Sequence, residues 1–322
     1  MDELLNVRLA RQLTERINLK RAQLDQHRPL SLDVLRYLHD DLRVVLTYHS
    51  NAIEGNTLNL RETRLVIEEG LTIGGHTLRE HLETANHAQA FDYLEQLAQG
   101  NAPLDATAIL SLHRLVMKEL VAQAGQLRSL AVQIRGSNWT PPPARQVPQL
   151  LNEWLTWLAG AGLAYPAIER AAIAHVQFEA IHPFMDGNGR TGRLLLNLML
   201  LSEGYPPAVL LRQWRGDYLA ALEAAQVHGK YRAIINLVGR AVEEGLEIYL
   251  GAVDEAAEPL LPLTELAAEF GYDLNYLGRL AREGRLAATK RAGRWYARRR
   301  AIADYKAQAA VEPRGRPRTR RS

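Results

Sequence analysis

Cysteine is absent from all 322 residues. That excludes a disulfide framework, a thiolate nucleophile and any thiolate metal site. No apolar run approaches the ~18–20 residues of a membrane helix. The opening residues Met1-Asp2-Glu3-Leu4 carry neither the basic nor the apolar segment of a secretory signal. No internal repeat recurs along the chain. These absences predict a cytoplasmic protein with no membrane partner. What remains is ample for folding: 47% of residues are hydrophobic and 23% charged. The length suits about two domains at ~100–200 residues each.

The net charge of +3 hides an uneven distribution. Residues 254–322 hold 15 of the 39 Lys and Arg but only 9 of the 36 Asp and Glu. The preceding part is therefore slightly acidic and the end of the chain basic. Such a split points to an anionic partner for the C-terminal part, most simply DNA, with a solubilising basic tail as the plain alternative.

Most of residues 1–250 reads as helix. Apolar residues recur at three- and four-residue steps through Leu32-Val34-Leu35-Leu38-Leu42-Val45-Leu46, and again from Ile109 to Leu120. Ser31 followed by Asp33 marks a helix start. Further helices are expected over 147–159, 168–181, 190–202 and 218–226. One segment differs. Leu130-Ala131-Val132-Gln133-Ile134-Arg135 alternates, and Gly136-Ser137-Asn138 and Pro141-Pro142-Pro143 then interrupt it. This predicts a short extended arm or β-hairpin.

The densest chemistry lies in His182-Pro183-Phe184-Met185-Asp186-Gly187-Asn188-Gly189-Arg190-Thr191-Gly192-Arg193, followed at once by an apolar run. Gly187 and Gly189 allow close backbone approach to a ligand, and a helix start behind them favours an anion. Arg190 and Arg193 are three residues apart and share a helix face, so both can reach phosphate oxygens. Asp186 can hold Mg²⁺, which usually takes one or two carboxylates plus substrate phosphates. His182 suits a general base. Each part alone has a bland reading as turn, solvated arginine or structural histidine. The combination describes phosphoryl or nucleotidyl transfer.

This stretch resembles the Fic family motif, His-x-Phe-x-Asp/Glu-Gly-Asn-Gly-Arg-x-x-Arg, at every defined position. The resemblance covers roughly residues 40–250. It implies an all-α fold: a Fic-type helical core with a short β-hairpin flap. It also implies AMP transfer from ATP to a hydroxyl side chain of a target protein. By that resemblance His182 deprotonates the hydroxyl and Asp186 binds Mg²⁺. Gly187, Asn188 and Gly189 form the anion hole. Arg190 and Arg193 clamp the β- and γ-phosphates, and Phe184 anchors the loop. Thr191 and Gly192 complete the nucleotide-binding loop. Arg135, Gly136, Ser137 and Asn138 would lie over the nucleotide, on a flap that aligns the target protein by strand addition. Tyr218 would line the adenine pocket, with Gln226 where some relatives have asparagine. A homodimer is the assembly the family suggests. Transfer from another nucleotide or a phosphocholine donor is the alternative among enzymes. A DNA-bound regulator using the site as a nucleotide sensor is the alternative outside them.

A second stretch, Thr47 to Asn56, holds Ser50 and Glu54, four residues apart and so on one helix face. Gly55 suits a helix end. The stretch resembles the Ser/Thr-x-x-x-Glu-Gly/Asn inhibitory motif of Fic proteins. That implies an inhibitory helix over about 31–55, whose Glu54 bridges to Arg193 and leaves ATP in an unproductive pose. Reverse removal of AMP is a further activity the family suggests. The expected domains are a helical region 1–104 with the inhibitory helix, a catalytic core 105–250, a module 258–308 and a disordered basic tail 309–322. The module's two short helices and basic hairpin resemble an excisionase- or MerR-like winged helix-turn-helix, which implies DNA binding.

Overall fold

A computed structural model describes residues 7–100, 104–291 and 293–311. The chain divides into two compact units, Met1–Leu250 and Gly251–Ser322. The first unit is helical. Its elements in order are α1 (Arg11–Asp25), α2 (Leu32–Ile53), α3 (Leu60–Glu69), α4 (Leu78–Gln99), α5 (Ala106–Val116), α6 (Val147–Ala159), α7 (Ala167–Ile181), α8 (Asn188–Ser202), α9 (Arg215–His228) and α10 (Arg232–Ala257). Local chemistry explains the ends. The Ser31 hydroxyl accepts the Val34 N–H at 3.3 Å and starts α2. Reciprocal capping boxes, Asn59 with Glu62 and Thr77 with Glu80, start α3 and α4. α5 stops short of the predicted Leu120, because Met117–Leu120 turns tightly and Glu119 takes φ 60°.

The apolar run after the motif becomes α8. It has no amphipathic stripe: Leu194, Leu195, Leu196, Leu198 and Leu200 are buried on all sides. A helix apolar all round belongs in the centre of a core. α8 packs against α7, α4, α5 and α2, so its first turn, which carries Asn188 to Arg193, is held by four neighbours.

The predicted flap is an arm and not a hairpin. Residues 131–140 form no strand, although exposed and half-buried positions alternate along them. The alternation reports one face lying on the protein. It says nothing about a pairing strand, and Pro141-Pro142-Pro143 offers no N–H donors to build a ladder.

The second unit, described by itself, contains β1 (Leu261–Pro262), α11 (Leu263–Phe270), α12 (Leu274–Arg282), β2 (Ala288–Arg291), β3 (Arg294–Ala297) and α13 (Arg299–Val311). The strands form an antiparallel sheet in the order β1-β3-β2, with Lys290 opposite Trp295. Gly271, at φ 70°, ends α11, and the Asp273 carboxylate caps α12 by accepting the Tyr276 N–H at 3.0 Å. Leu263, Leu266, Leu277, Leu280, Leu286 and Ile302 make its core. Residues 309–311 of the expected tail belong to α13, which continues to Val311; the rest of that tail, 312–322, lies outside the described residues. Among the described residues no helix is long and apolar enough to cross a membrane.

Candidate active site

Two left-handed residues bracket the motif loop. His182 ends α7 at φ 49°, and Gly187 at φ 79° precedes α8. A histidine there is uncommon and costs on the order of 1 kcal/mol unless its surroundings hold it. Arg128, buried before the arm, does so. Its guanidinium donates to the carbonyls of His182 at 2.8 Å, Leu130 at 3.0 Å and Pro142 at 2.6 Å, and its own N–H donates to the Pro183 carbonyl at 2.9 Å. Arg128→Met should therefore leave several partly buried carbonyls without this partner and lower Tm by about 4–8 °C. A thermal melt shifted by less than about 2 °C would remove Arg128 from that role.

Inside the loop, Asn188 exchanges hydrogen bonds with the Phe184 backbone at 2.9 Å in both directions. The Phe184 ring stacks on His113 with centroids 3.6 Å apart. His113 accepts the Gly125 N–H at Nδ1 and donates from Nε2 to the Asp186 carbonyl at 2.9 Å. Burial pushes its imidazole down to about 4, despite that carbonyl.

His182 is held as a neutral imidazole. Its Nδ1 donates to the Glu179 carbonyl at 3.3 Å, which leaves the Nε2 lone pair available. Burial is the main cause that pushes its pKa down to about 4; the Glu179 carbonyl opposes it and Arg128 adds to it. A base must be deprotonated to act. A rate that depends on His182 should therefore hold level from pH 8 down to pH 6, where an ordinary histidine near ~6.5 would lose about three quarters of its free form. A kcat/KM profile that falls with a midpoint near ~6.5 would contradict this.

The two motif arginines are buried. Arg193 donates from Nε to the Ser50 hydroxyl at 3.0 Å, and from Nη2 to the Ser50 carbonyl at 2.9 Å and to Glu54 Oε1 at 2.8 Å. Burial opposes its charge, but Glu54 and Tyr218 outweigh it and hold the guanidinium above its ordinary pKa. A Cβ at Gly189 would meet Glu54 Oε1 at 2.3 Å. The Glu54 carboxylate thus lies against the first turn of α8, where the N–H groups and dipole favour an anion. Glu179 lies beneath; burial pushes its carboxyl up to about 8, against the pull of Arg193. The carboxylate in contact with Arg193 is that of Glu54, at 2.8 Å.

Arg190 lies 3.2 Å from Glu83 Oε1 and 3.5 Å from Asp186 Oδ1. Its buried Nε and Nη1 have no hydrogen-bond partner among the described residues. Buried donors left unpaired are costly, and phosphate oxygens would satisfy them. Asp186 is half exposed. Among the described residues no group of three or more His, Cys, Asp or Glu is arranged to hold a metal. One accessible carboxylate beside an anion cradle nevertheless fits Mg²⁺ that arrives with phosphates and water as its other ligands.

A profile of the Fic/DOC family matches residues 103–200. A solved fragment of Fic-1 from Caenorhabditis elegans is 32% identical, covers 76% of this chain and 74% of that one, and superimposes with a TM-score of 0.68. The chain belongs to the Fic/DOC family. A Fic domain containing signaling protein from Bacteroides thetaiotaomicron is 25% identical, with a TM-score of 0.68 over 74% of this chain and 98% of that one. The chain is also 35% identical over 231 residues to protein adenylyltransferase fic-1 of Caenorhabditis elegans, which is 70% of this chain and 45% of that protein. It thus spans about half the length of the curated relatives it matches.

Other residues named from the sequence lie around this Fic loop. Arg135, Gly136 and Asn138 are exposed on the arm, and Ser137 is half-buried. Asn138 donates twice to Glu223 on α9. Tyr218 is buried; its hydroxyl meets His175 Nε2 at 2.8 Å, and its ring lies 5.9 Å from the Arg193 guanidinium carbon. Gln226 is half-buried on α9. Thr191 is buried within α8, and Gly192 gives room to Glu179, whose Oε1 would be 2.2 Å from a Cβ there. Arg79, Glu83, His113, Arg128 and Glu179 were not picked out in the sequence. Arg79 and Glu83 form a local i,i+4 pair that reads as an ordinary solvated helix pair. The other partners lie far along the chain or are backbone groups, and no local spacing marks them.

Proposed function

We propose that this Fic chain is an autoinhibited protein adenylyltransferase, moving AMP from ATP to a side-chain hydroxyl of a target protein or of itself. The observation that carries the reading is the Glu54 carboxylate held by Arg193 against the first turn of α8. An anion already sits where a phosphate has to bind, and the helix bearing it ends there.

In the released site His182 Nε2 takes the proton of the target hydroxyl. The hydroxyl oxygen forms a bond to the α-phosphorus of ATP, and the bond to the bridging oxygen of the β-phosphate breaks. Diphosphate leaves with the electron pair, its charge met by the α8 N-terminus, Arg190 and Arg193. Mg²⁺ held by Asp186 supplies further neutralisation of the phosphates. Glu54 in its resting place withholds Arg193 and adds repulsion, so ATP binds in a pose that does not react. On the arm the N–H groups of Ser137, Asn138 and Trp139 are already taken, and those of residues 131–136 remain for an extended target segment, a recognition mode that tolerates many sequences. With AMP-modified protein in the site in place of ATP and hydroxyl, water forms the bond to the phosphorus of AMP and the bond to the protein oxygen breaks. That oxygen leaves as a hydroxyl carrying a proton from the water, and Glu54 is the carboxylate available to orient that water.

Incubation of the full chain with ATP labelled at either phosphorus tests the chemistry. Retention of α- but not γ-label on protein supports AMP transfer. Retention of γ-label would mean phosphorylation. No label on any protein, with ATP still bound, would leave a sensor.

The second unit supports a second reading, as a DNA-binding module. α11 and α12 are joined by a three-residue turn, and Asn275, Arg279 and Arg282 of α12 and Lys290 and Arg294 of the hairpin are exposed. Phosphate contacts by such groups give binding that weakens steeply with salt. Anisotropy of a labelled duplex with the full chain should show that slope, reduced in Arg279→Ala/Arg282→Ala. A flat salt response counts against DNA.

A further inference from the structure

The carboxylate assigned above to a divalent cation already has a cation beside it. Asp186 Oδ2 accepts from Arg79 Nη2 at 2.9 Å. Arg79 Nε donates to Glu83 Oε1 at 3.1 Å, and that same oxygen lies 3.2 Å from Arg190 Nη1. Arg190 Nη2 closes the circuit at 3.5 Å from Asp186 Oδ1. Two guanidinium groups and two carboxylates thus alternate in a closed ring of zero formal charge.

The ring has a fixed half and a movable half. The Arg190 and Glu83 side chains are 3% and 12% exposed, and the other Glu83 oxygen accepts from Asn56 Nδ2 at 3.2 Å. The Arg79 and Asp186 side chains are 52% and 44% exposed. Arg79 lies in the first turn of α4, between the two members of the Thr77–Glu80 capping box. It can swing outward without uncovering any core.

We propose that Arg79 is the resident counter-cation of Asp186 and keeps a divalent cation off that carboxylate until nucleotide phosphates arrive with it. The inference rests on the reading of Asp186 as the metal-holding residue and adds a control on it. A bare divalent cation approaching Asp186 has to displace Arg79 and then faces two guanidinium groups with a single accessible carboxylate. Charges that close repel even in water, and a divalent ion feels twice the repulsion of a monovalent one. A metal–nucleotide complex changes the balance, since its phosphates occupy Arg190 and the α8 N-terminus while Asp186 turns to the metal. Metal and nucleotide then bind with positive coupling, and the coupling is reciprocal.

Mn²⁺, followed by its electron paramagnetic resonance signal, is the probe, with the full chain and no nucleotide. Arg79→Ala should bind Mn²⁺ at least about fivefold more tightly than the native chain. The gain should vanish in Arg79→Ala/Asp186→Asn. With a non-hydrolysable ATP analogue present, the native chain and Arg79→Ala should differ less. Unchanged affinity in Arg79→Ala, while Asp186→Asn weakens Mn²⁺ binding in the analogue complex, overturns the role of Arg79 and leaves that of Asp186 standing. A gain that survives in the double variant also overturns it, as a general charge effect. If Asp186→Asn leaves Mn²⁺ binding in the analogue complex untouched, the reading of Asp186 falls and takes the proposal with it.

Discussion

Replacing Glu54 with glycine should raise AMP incorporation from ATP about 10- to 100-fold. The estimate follows from one charge-assisted hydrogen bond, worth about 1.5–3 kcal/mol. Arg193 loses its bond to Glu54 but keeps those to the Ser50 hydroxyl and carbonyl, so it stays in position and becomes available to a phosphate. The negative charge against the first turn of α8 goes with the side chain. Backbone disturbance is small, because Glu54 is the residue after α2, at a helix end where glycine adopts the observed angles without strain. The buried Arg193 without its partner should nevertheless lower stability. ATP should restore it, since a ligand that binds only the folded state stabilises by mass action. Glu54→Gln keeps a hydrogen-bonding group without the charge and should fall between the two. The measurement is ³²P retained on protein from α-labelled ATP. Equal incorporation in the native and Glu54→Gly chains would remove autoinhibition from the account.

What the sequence disclosed follows from how locally each feature is encoded. α8 was legible because its chemistry and its apolar run are contiguous, and α2 because Ser31, the heptad-like leucines and Gly55 mark its start, face and end. The spacing of Ser50 and Glu54 puts them on one face of α2, but their partner Arg193 lies 143 and 139 residues away. Only the resemblance suggested that meeting. Arg128 and Arg79 had neither aid. Each reads as an ordinary charged residue, Arg79 as one half of an i,i+4 pair with Glu83, and the contacts that tie them to the loop are with groups 54 and 107 residues distant. The arm failed in a different way. Its alternation is real in the exposure pattern, yet a period of two follows from any extended segment with one face covered. A second strand is a long-range fact that periodicity does not carry. Tyr218 illustrates the same limit, since a motif can suggest that a tyrosine lines a pocket but not that its hydroxyl meets the buried His175.

Replacing His182 should abolish transfer to protein while leaving ATP bound, and the choice of substitute matters. At φ 49° alanine would be strained and could move the loop. Asparagine tolerates the left-handed region and has no basic nitrogen, so His182→Asn tests the base rather than the backbone. In the Glu54→Gly background, where the rate is high enough to follow, the loss should be about 10²- to 10⁴-fold. ATP affinity should stay within about threefold, because the α8 N-terminus, Arg190 and Arg193 do not depend on the imidazole. The same variant separates the two classes of function. A transferase loses labelled protein and keeps nucleotide. A nucleotide sensor linked to DNA has no proton to remove, so its ATP and DNA responses should pass through His182→Asn unchanged, with no labelled protein before or after. A parallel loss of ATP binding and transfer would instead assign His182 to the architecture of the loop, where its carbonyl is already held by Arg128, and another base would have to be sought.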